Sequence, residues 1–487
     1  MKSQYDAIVI GTGIGGSACA ALLSKAGFKT LVLEKNESVG GMSSSYEKEG
    51  FTIDSAIHVF SSGIKGRFGK IMKKIELDTL RFVNITDRTA LRALGQKGYT
   101  RLAFNPSTLS PAPKEAPSFK DPQQVDLSKM GFRGDDMKTL MLIMGRILQT
   151  GKKTLQKMHE DQLIFENYLD QFSPSKGVKS LLAFLTGGMF GLAPKMASAP
   201  ELIQGLTEWV VTNDLSYPIG GAIAVPTAFL QGVTKYGGKI RTDTEVKKII
   251  IEDGKAVGVI ADGEPIYSEF VVSNTGIKPT VHSLVGKEHF DPAYIEKVEG
   301  LIPSFSAITF KFALKEPVID HYVFINLYHG DLSAFGEQNK DPTAPKATGF
   351  MTMVPTNADP ALAPPGHQLI IFGTLAPTRP KNWKDWTDYY YQEILKFYPG
   401  IEEKTLFVDI TTPVDLAKMS GKAFGPIETT ALTPTQSGPY RISSELPIEG
   451  LYVIGDTAGT NTHGIGTQLA ADSGIQGANL IIRKYKN

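Results

Sequence analysis

Three glycines, Gly11, Gly13 and Gly16, stand in the stretch VIGTGIGGSA with the spacing GxGxxG. The first permits a tight turn, the second lets a pyrophosphate reach the main chain, and the third lets a helix pack closely on a strand. Glu34 lies 23 residues after Gly11, where an acidic side chain accepts hydrogen bonds from an adenosine ribose 2′-OH. The chemistry expected of this set is the holding of an adenine dinucleotide. Ile14 and Gly15 within the loop, and Lys35 beside the acid, are expected contacts of the same ligand.

The elements that must position these groups are readable around them. Ala7 to Ile10 reads as a short buried strand, Gly16 to Ala26 as an Ala/Leu-rich helix ending near Gly27, and Thr30 to Leu33 as a second apolar strand. The three form a βαβ unit whose helix N-terminus faces the phosphates.

Size and charge bound the remainder. A chain of 487 residues is expected to form two or more domains, and 41% hydrophobic with 21% charged residues places it among ordinary globular proteins. Lys plus Arg number 51 against 50 Asp plus Glu, so no global field favours nucleic acid, and no nucleic-acid partner is expected. The single Cys19 excludes an internal disulfide framework and any multi-cysteine metal site; no metal is expected. Neither a secretory pattern before Tyr5 nor a run of about 18 apolar residues occurs, so a cytoplasmic location is the expectation.

From Leu33 the chain reads LEKNESVGGMSSSYEKEGFTIDSAIHVF, with a glycine pair at Gly40 and Gly41. It resembles the FAD-dependent amine oxidase and phytoene desaturase superfamily, where such a pair after the acidic residue adjoins the pyrophosphate and the flavin. Simple NAD dehydrogenases lack it. The resemblance implies FAD, with contacts from Gly40, Gly41 and Met42.

A later passage, YPIGGAIAVPTAFLQGVTKYGGKIRTDTEVKKIIIEDGKAVGVIADGEPIYSEFVVSNTG, reads as a helix from about Ala224 to Tyr236, a stop at Gly237 and Gly238, and strands at Lys239 to Arg241, Val246 to Ile251 and Lys255 to Ala261. It is similar to the return of the chain into the FAD domain. There the residue at the position of Val246 bonds the adenine through its main chain, and Asn274 stands at the end of a returning strand. The closing GLYVIGDTAGTNTHGIGTQLAADSG resembles the last FAD motif of the superfamily. Gly455 and Asp456 then meet the ribityl chain, and Gly466, Thr467, Gln468 and Leu469 present N–H groups to the N1/C2=O edge of the flavin. A helix N-terminus there stabilises the negative charge of a reduced ring.

The fold expected is α/β: a Rossmann-type FAD-binding domain, glutathione reductase-like and of the amine oxidase branch, with an interleaved α+β substrate domain. Residues 1–75, 218–285 and 426–487 are assigned to the first, and 76–217 and 286–425 to the second. The second contains a Pro/Ser-rich loop (NPSTLSPAPKEAP) and a helix expected over Met137 to Met158. That helix carries Lys138, Arg146, Lys152, Lys153 and Lys157 with no acid. Packing of its Met and Leu side chains inside the domain is the first expectation, and peripheral contact with a membrane surface the second.

In the amine-oxidase branch a lysine near flavin N5 precedes, by nine residues, the Lys of a KEP-like turn. Here the turn is Lys315, Glu316, Pro317, and Ser306 holds that position, although a shifted register would bring Lys311 there. GGMSSSYEKEGFTIDSAIHVF is similar instead to carotenoid isomerases and retinol saturases, and GIGTQLAADSG to polyene desaturases. Met42 stands where bacterial-type phytoene desaturases usually have Arg, a departure that counts against classical phytoene desaturation. The resemblance implies an oxidoreductase acting on C–C bonds of a long apolar isoprenoid or polyene, with an electron donor or acceptor that the sequence does not identify. His58 and His463 fall beside the flavin in such an alignment and are the expected proton-transfer groups; Tyr217 and Asp214 are weaker candidates. A flavin amine oxidase is one alternative. Another is a non-enzymatic prenyl carrier of the GDP dissociation inhibitor type, a class that has lost the dinucleotide site.

Overall fold

The computed structural model describes residues 4–86, 89–93, 100–101, 128, 132–327, 345, 349–379 and 381–486. The Pro/Ser-rich loop lies outside the described residues. The strand Tyr5–Ile10 is flanked by Thr30–Leu33 and Glu264–Ser273, with Lys239–Arg241 beyond the former and Leu451–Val453 beyond the latter, all parallel. Parallel strands covered on both faces read as continuous apolar runs, and Ile8, Val9, Leu31, Val32, Val271 and Val272 are fully buried. Onto the first half of Glu264–Ser273 folds an antiparallel meander of Val246–Glu252 and Lys255–Ala261. Its turns put Asp253 and Gly254 at φ 47° and 79°, and Asp262 and Gly263 at φ 52° and 81°, the left-handed pairs that two-residue hairpins need.

One layer of helices covers this sheet. The opening helix Ile14–Lys25 packs between Ala224–Lys235 and the C-terminal helix Thr467–Lys486. The contact with the C-terminal helix is made at backbone distance: a Cβ at Gly474 would stand 2.5 Å from the carbonyl oxygen of Gly15. Gly474 therefore sets how closely the last helix approaches the glycine loop.

A second sheet runs in the order Thr405–Thr411, Ser306–Leu314, Gln368–Ala376, Gly349–Met353, Val323–Leu327, Thr89–Ala93, Thr100–Arg101. Its outer face buries Phe310, Phe312, Ile370 and Phe372 against Trp386, Tyr390, Ile394 and Phe397 of the helix Trp383–Phe397. The other face carries Ala307, Val323, Ile325 and Met351 into a central cavity. A helical group, which includes Asp136–Gln149, Lys152–Glu160, Lys176–Phe190 and Ala199–Thr212, shares its own apolar core with Leu432 and Leu469.

The helix expected over Met137 to Met158 is two helices. Thr150 is extended (ψ 109°) and returns its hydroxyl to the carbonyl of Arg146, and Gly151 caps the second helix. A β-branched residue followed by glycine interrupts the periodicity, because neither is held in the helical well as an Ala or Leu is. The first helix buries Ile143 and Ile147 and leaves Met137, Met141 and Leu142 about half exposed.

The crossing at Gly474 generates a prediction. Gly474→Ala forces the two helices apart or strains the loop, at a cost of about 1–3 kcal/mol. Denaturation of the flavin-free variant is expected at a lower denaturant midpoint than that of the parent; an unchanged midpoint would show that the crossing is not tight.

Candidate active site

The first βα turn, the strand end at Glu34, the meander and the C-terminal turn all meet at one cavity. Of the residues named from sequence, Gly11, Gly13, Ile14, Gly15, Glu34, Lys35, Gly40, Gly41, Met42, Val246, Asn274, Gly455, Asp456, Gly466 and Thr467 line it, and so does His58. Gly16, Gln468, Leu469 and His463 do not stand on its wall.

Gly16 serves packing, since a Cβ there would meet the carbonyl oxygen of Gly11 at 2.2 Å. The same Cβ test reveals why so many glycines cluster here. Added Cβ atoms would lie 2.8 Å from the Asn274 side chain at Gly13, 2.9 Å at Gly15, 3.1 Å at Gly16 and 2.7 Å at Gly455. The carboxamide of Asn274 is wedged between the opening loop and the C-terminal turn, and its main-chain N–H is tied to the Ile10 carbonyl at 2.8 Å.

Thr12, which the sequence reading passed over, joins three parts of the site. Its N–H and hydroxyl both donate to Glu34 Oε2, at 2.9 and 2.6 Å, and its hydroxyl accepts from the N–H of Gly40 at 3.0 Å. Asn36 donates its N–H and Nδ2 to Glu34 Oε1, at 3.1 and 3.0 Å. A carboxylate has about four acceptor positions, and protein donors engage all four of Glu34. A ribose hydroxyl would share or displace the Asn36 bonds, so Glu34 also organises the loop itself. No pattern in the sequence marks a Thr between two loop glycines as such a link.

Asp456 is a second, largely enclosed anion, with 14% of its side chain exposed. Lys422 Nζ donates to its Oδ2 at 2.6 Å and the Thr429 N–H at 2.7 Å, and Arg441 Nη2 reaches its carbonyl at 2.7 Å. Burial alone raises a carboxyl pKa, but Lys422, the Thr429 N–H and Arg441 outweigh it and hold Asp456 below the ordinary carboxylate range. Lys422 and Arg441 went unnoticed in sequence because each is a single basic residue in a loop.

The C-terminal turn departs from expectation at Gln468. The N–H of Gln468 is bonded to the Ile465 carbonyl at 3.0 Å, and its side chain spans Ser61 O (2.6 Å) and the Arg67 N–H (3.1 Å). The side chain of Leu469 is fully buried in the helical core. Of the four residues expected to present N–H groups there, Gly466 and Thr467 line the cavity, with Ile465 and Ala470 beside them. His463 is likewise displaced: its Nδ1 lies 3.3 Å from Glu201 Oε2 and its N–H donates to Asp472.

His58 sits on the wall, stacked on Phe60 with ring centroids 5.6 Å apart. Its Nδ1 is 3.0 Å from the Ala56 carbonyl. A carbonyl only accepts, so Nδ1 carries the hydrogen and Nε2 of the neutral ring is the acceptor, an assignment made from the bonding partner. Burial, helped by Lys311 and opposed by Asp54 and the Ala56 carbonyl, pushes its pKa below that of ordinary histidine. Tyr217 and Asp214 lie off the wall, the former donating to Asp54 Oδ2 at 2.6 Å and the latter held by the Ser216 hydroxyl.

Beyond the loops the cavity continues as an arm between the helices and the second sheet. Among the described residues, the wall contributed by positions 184–215, 307–351, 427 and 465 is entirely apolar or glycine, including Phe184, Met189, Trp209, Ile325 and Ile465. Ala307 is the wall residue of the strand Ser306–Leu314, whereas Ser306 donates to the Gly425 carbonyl at 2.5 Å. Lys311 bonds Thr411 Oγ1 at 2.6 Å and Tyr46 OH at 3.3 Å, away from the cavity. Burial pushes its amine down to about 8, against the pull of Asp409 and Asp54. The two wall lysines, Lys35 and Lys422, are at the polar end and bond Lys418 O and Asp456.

This long polar cleft, floored by glycines and by a helix N-terminus and ending at an apolar arm, has the donors and the close backbone approach that a dinucleotide flavin needs. The comparisons agree with it. Prolycopene isomerase 1, chloroplastic, of an Oncidium hybrid cultivar is 26% identical over 498 aligned residues, covering 93% of this chain and 80% of the relative. An inactive all-trans-retinol 13,14-reductase of Danio rerio is 23% identical, covering 85% of this chain and 76% of its own. The crystal structure of an oxidoreductase from Methanosarcina mazei superimposes with a TM-score of 0.72 at 22% identity, over 98% of this chain and 100% of that one. The profile of the flavin containing amine oxidoreductases matches residues 14–482. From the opening glycine loop to the last helix, the chain belongs to the flavin containing amine oxidoreductase family, and its cofactor is FAD.

Proposed function

We propose that this FAD-dependent oxidoreductase acts on C–C bonds of a long apolar isoprenoid or polyene, by desaturation, saturation or cis/trans isomerisation. The observation that carries the reading is the arm: among the described residues, its wall offers a substrate no charge and no hydrogen-bonding carboxylate or amine. An amine needs a partner for its charge or lone pair, since burying it without one is costly. The amine-oxidase lysine is also missing from the wall, with Ala307 facing the cavity and Lys311 turned away. The names of the Oncidium and Danio rerio relatives point to the same substrate class.

When bound, FAD supplies the redox chemistry, and the protein supplies position, electrostatics and exclusion of water. In this reading the Gly11 to Gly15 loop and Gly40–Gly41 hold the pyrophosphate, Glu34 and Val246 the adenosine, and Asp456, paired with Lys422, the ribityl chain. Gly466 and Thr467 face the flavin ring. His58, neutral and with Nε2 free of the Ala56 bond, accepts a proton next to the apolar arm. Burial leaves the ring neutral at rest, so it holds no imidazolium proton to donate and stands ready as an acceptor.

The exposed face of the helix Asp136–Gln149 interleaves Met137, Met141 and Leu142 with Lys138 and Arg146, while its buried face packs on the helices Lys176–Phe190 and Ala199–Thr212 that wall the arm. Lys152 and Lys153 extend the basic surface. We read it as an interfacial helix that rests on anionic lipid and leads an apolar substrate to the arm. No described helix is long and apolar enough to cross a membrane.

Anaerobic incubation of oxidised and of reduced protein with a panel of isoprenoids, followed by product mass, tests the function. Loss of two hydrogens, gain of two, or an unchanged mass with altered geometry identifies the reaction; turnover of amines with every polyene untouched would overturn the proposal. His58→Gln is expected to retain FAD and lose turnover by about 10²–10⁴-fold. The neutral base persists above its depressed pKa, so activity of the parent falls only as pH drops below the ordinary 6.5 of histidine, and that acid limb disappears in the variant. Full turnover would remove His58 from the chemistry. Paired Met141→Glu and Leu142→Glu substitutions are expected to weaken binding to anionic vesicles at least tenfold, about 1.4 kcal/mol, with flavin content unchanged. Equal vesicle binding would leave the helix a purely structural one.

A further inference from the structure

Behind the turn that carries Gly466 lies a line of buried ionisable groups that the reading above does not use. Glu428 is fully buried, and its Oε1 accepts from the Gly466 N–H at 3.3 Å. Arg441, also buried, spends one nitrogen on the Asp456 carbonyl; Glu428, Asp456, Glu201 and Asp472 lie within electrostatic reach of its guanidinium. Glu201, buried, meets His463 Nδ1 at 3.3 Å and His159 Nε2 at 3.7 Å. His463 is the outermost member, with 23% of its side chain exposed.

Along this line, buried polar atoms lack hydrogen-bond partners among the described residues: Glu428 Oε2, Arg441 Nε and Nη1, Glu201 Oε1, His159 Nδ1 and Ser437 Oγ. Native interiors leave few such groups, and a run of them on facing elements is the pattern that internal water satisfies with two to four bonds each. We propose that this line is a hydrated proton path joining the cofactor cavity at Gly466 to the surface at His463, with the Glu428 carboxyl holding the proton at its inner end. The inference rests on FAD binding alone and on no assumption about the substrate.

The electrostatics suit that task. Burial pushes the Glu428 carboxyl up to about 8, with Asp456 adding to the rise and Arg441, the Gly466 N–H and Lys422 opposing it. These are the charged groups that face it; Glu201, Asp472, His463, His159 and Arg67 stand farther along. With FAD bound, its two-electron reduction by a hydride donor would add one negative charge to the cavity, and a like charge raises a carboxyl pKa further. Above pH about 8, where Glu428 is ionised beforehand, one proton adds to its Oε2, taken from solvent through His463 and Glu201. Reoxidation returns it by the same route. No bond to carbon is made or broken at Glu428.

The holoenzyme tests this through its flavin midpoint potential as a function of pH. Above pH about 8, the parent is expected to take up more protons per two electrons than Glu428→Gln, seen as a steeper fall of potential with pH; coincident curves would overturn the role of Glu428. Glu201→Gln, remote from the cavity, is expected to keep the parent curve but slow proton uptake after photoreduction severalfold, followed with an indicator dye. Uptake at the parent rate would overturn the path, and this second measurement decides the matter if Glu428→Gln fails to retain flavin.

Discussion

The site depends on one steric arrangement: the carboxamide of Asn274 occupies the space that Cβ atoms would take at Gly13, Gly15, Gly16 and Gly455. The returning strand Glu264–Ser273 delivers Asn274 beneath the opening loop, and the strand Leu451–Val453 delivers Gly455 beside it. Segments more than 400 residues apart in sequence are thereby brought to van der Waals distance around one polar side chain. Side chains at those positions would hold the loop, the strand and the C-terminal helix apart, and the cleft would not exist. Glycines usually read as phosphate contacts are, in this chain, equally contacts for the protein's own Asn274.

Charge divides the cavity built on that arrangement. At the polar end, Thr12 and Asn36 satisfy Glu34, and Lys422 with the Thr429 N–H satisfies Asp456, so the buried Glu34 and the partly buried Asp456 both have partners, as removal from water demands. At the other end the wall carries no charge among the described residues. The neutral His58 lies near the division, and the ionisable line from Glu428 to His463 lies behind it. Oxidation or reduction of a C–C bond needs no acid–base group of great strength, only a positioned apolar substrate and a route for protons and electrons.

Much of this was legible in the linear chain, but unevenly. The βαβ unit, the meander and the closing turn announce themselves through glycine spacing and apolar runs, because backbone turns demand particular residues at particular places. The roles of Thr12, Lys422, Arg441 and Glu428 were not legible, since each is an ordinary residue whose partner is distant in sequence. Gln468 and Leu469 stand in the predicted helix start, yet the direction of a side chain or N–H in a first turn follows from packing, here against Ser61, Arg67 and the helical core. The single basic helix from Met137 to Met158 also failed, because Thr150 and Gly151 break it locally.

By itself the sequence determined the class of ligand, an adenine dinucleotide, because such a ligand is recognised by backbone geometry that only certain glycine spacings allow; its resemblance to a flavoprotein superfamily narrowed that class to FAD. It also determined the exclusion of disulfides, through its one cysteine. Tertiary structure alone decided which of the two candidate histidines faces the cavity, where Lys311 points, and that the described wall of the arm is lined without charge. Those outcomes rest on side-chain direction and on contacts between segments hundreds of residues apart, and neither leaves a periodic trace along the chain.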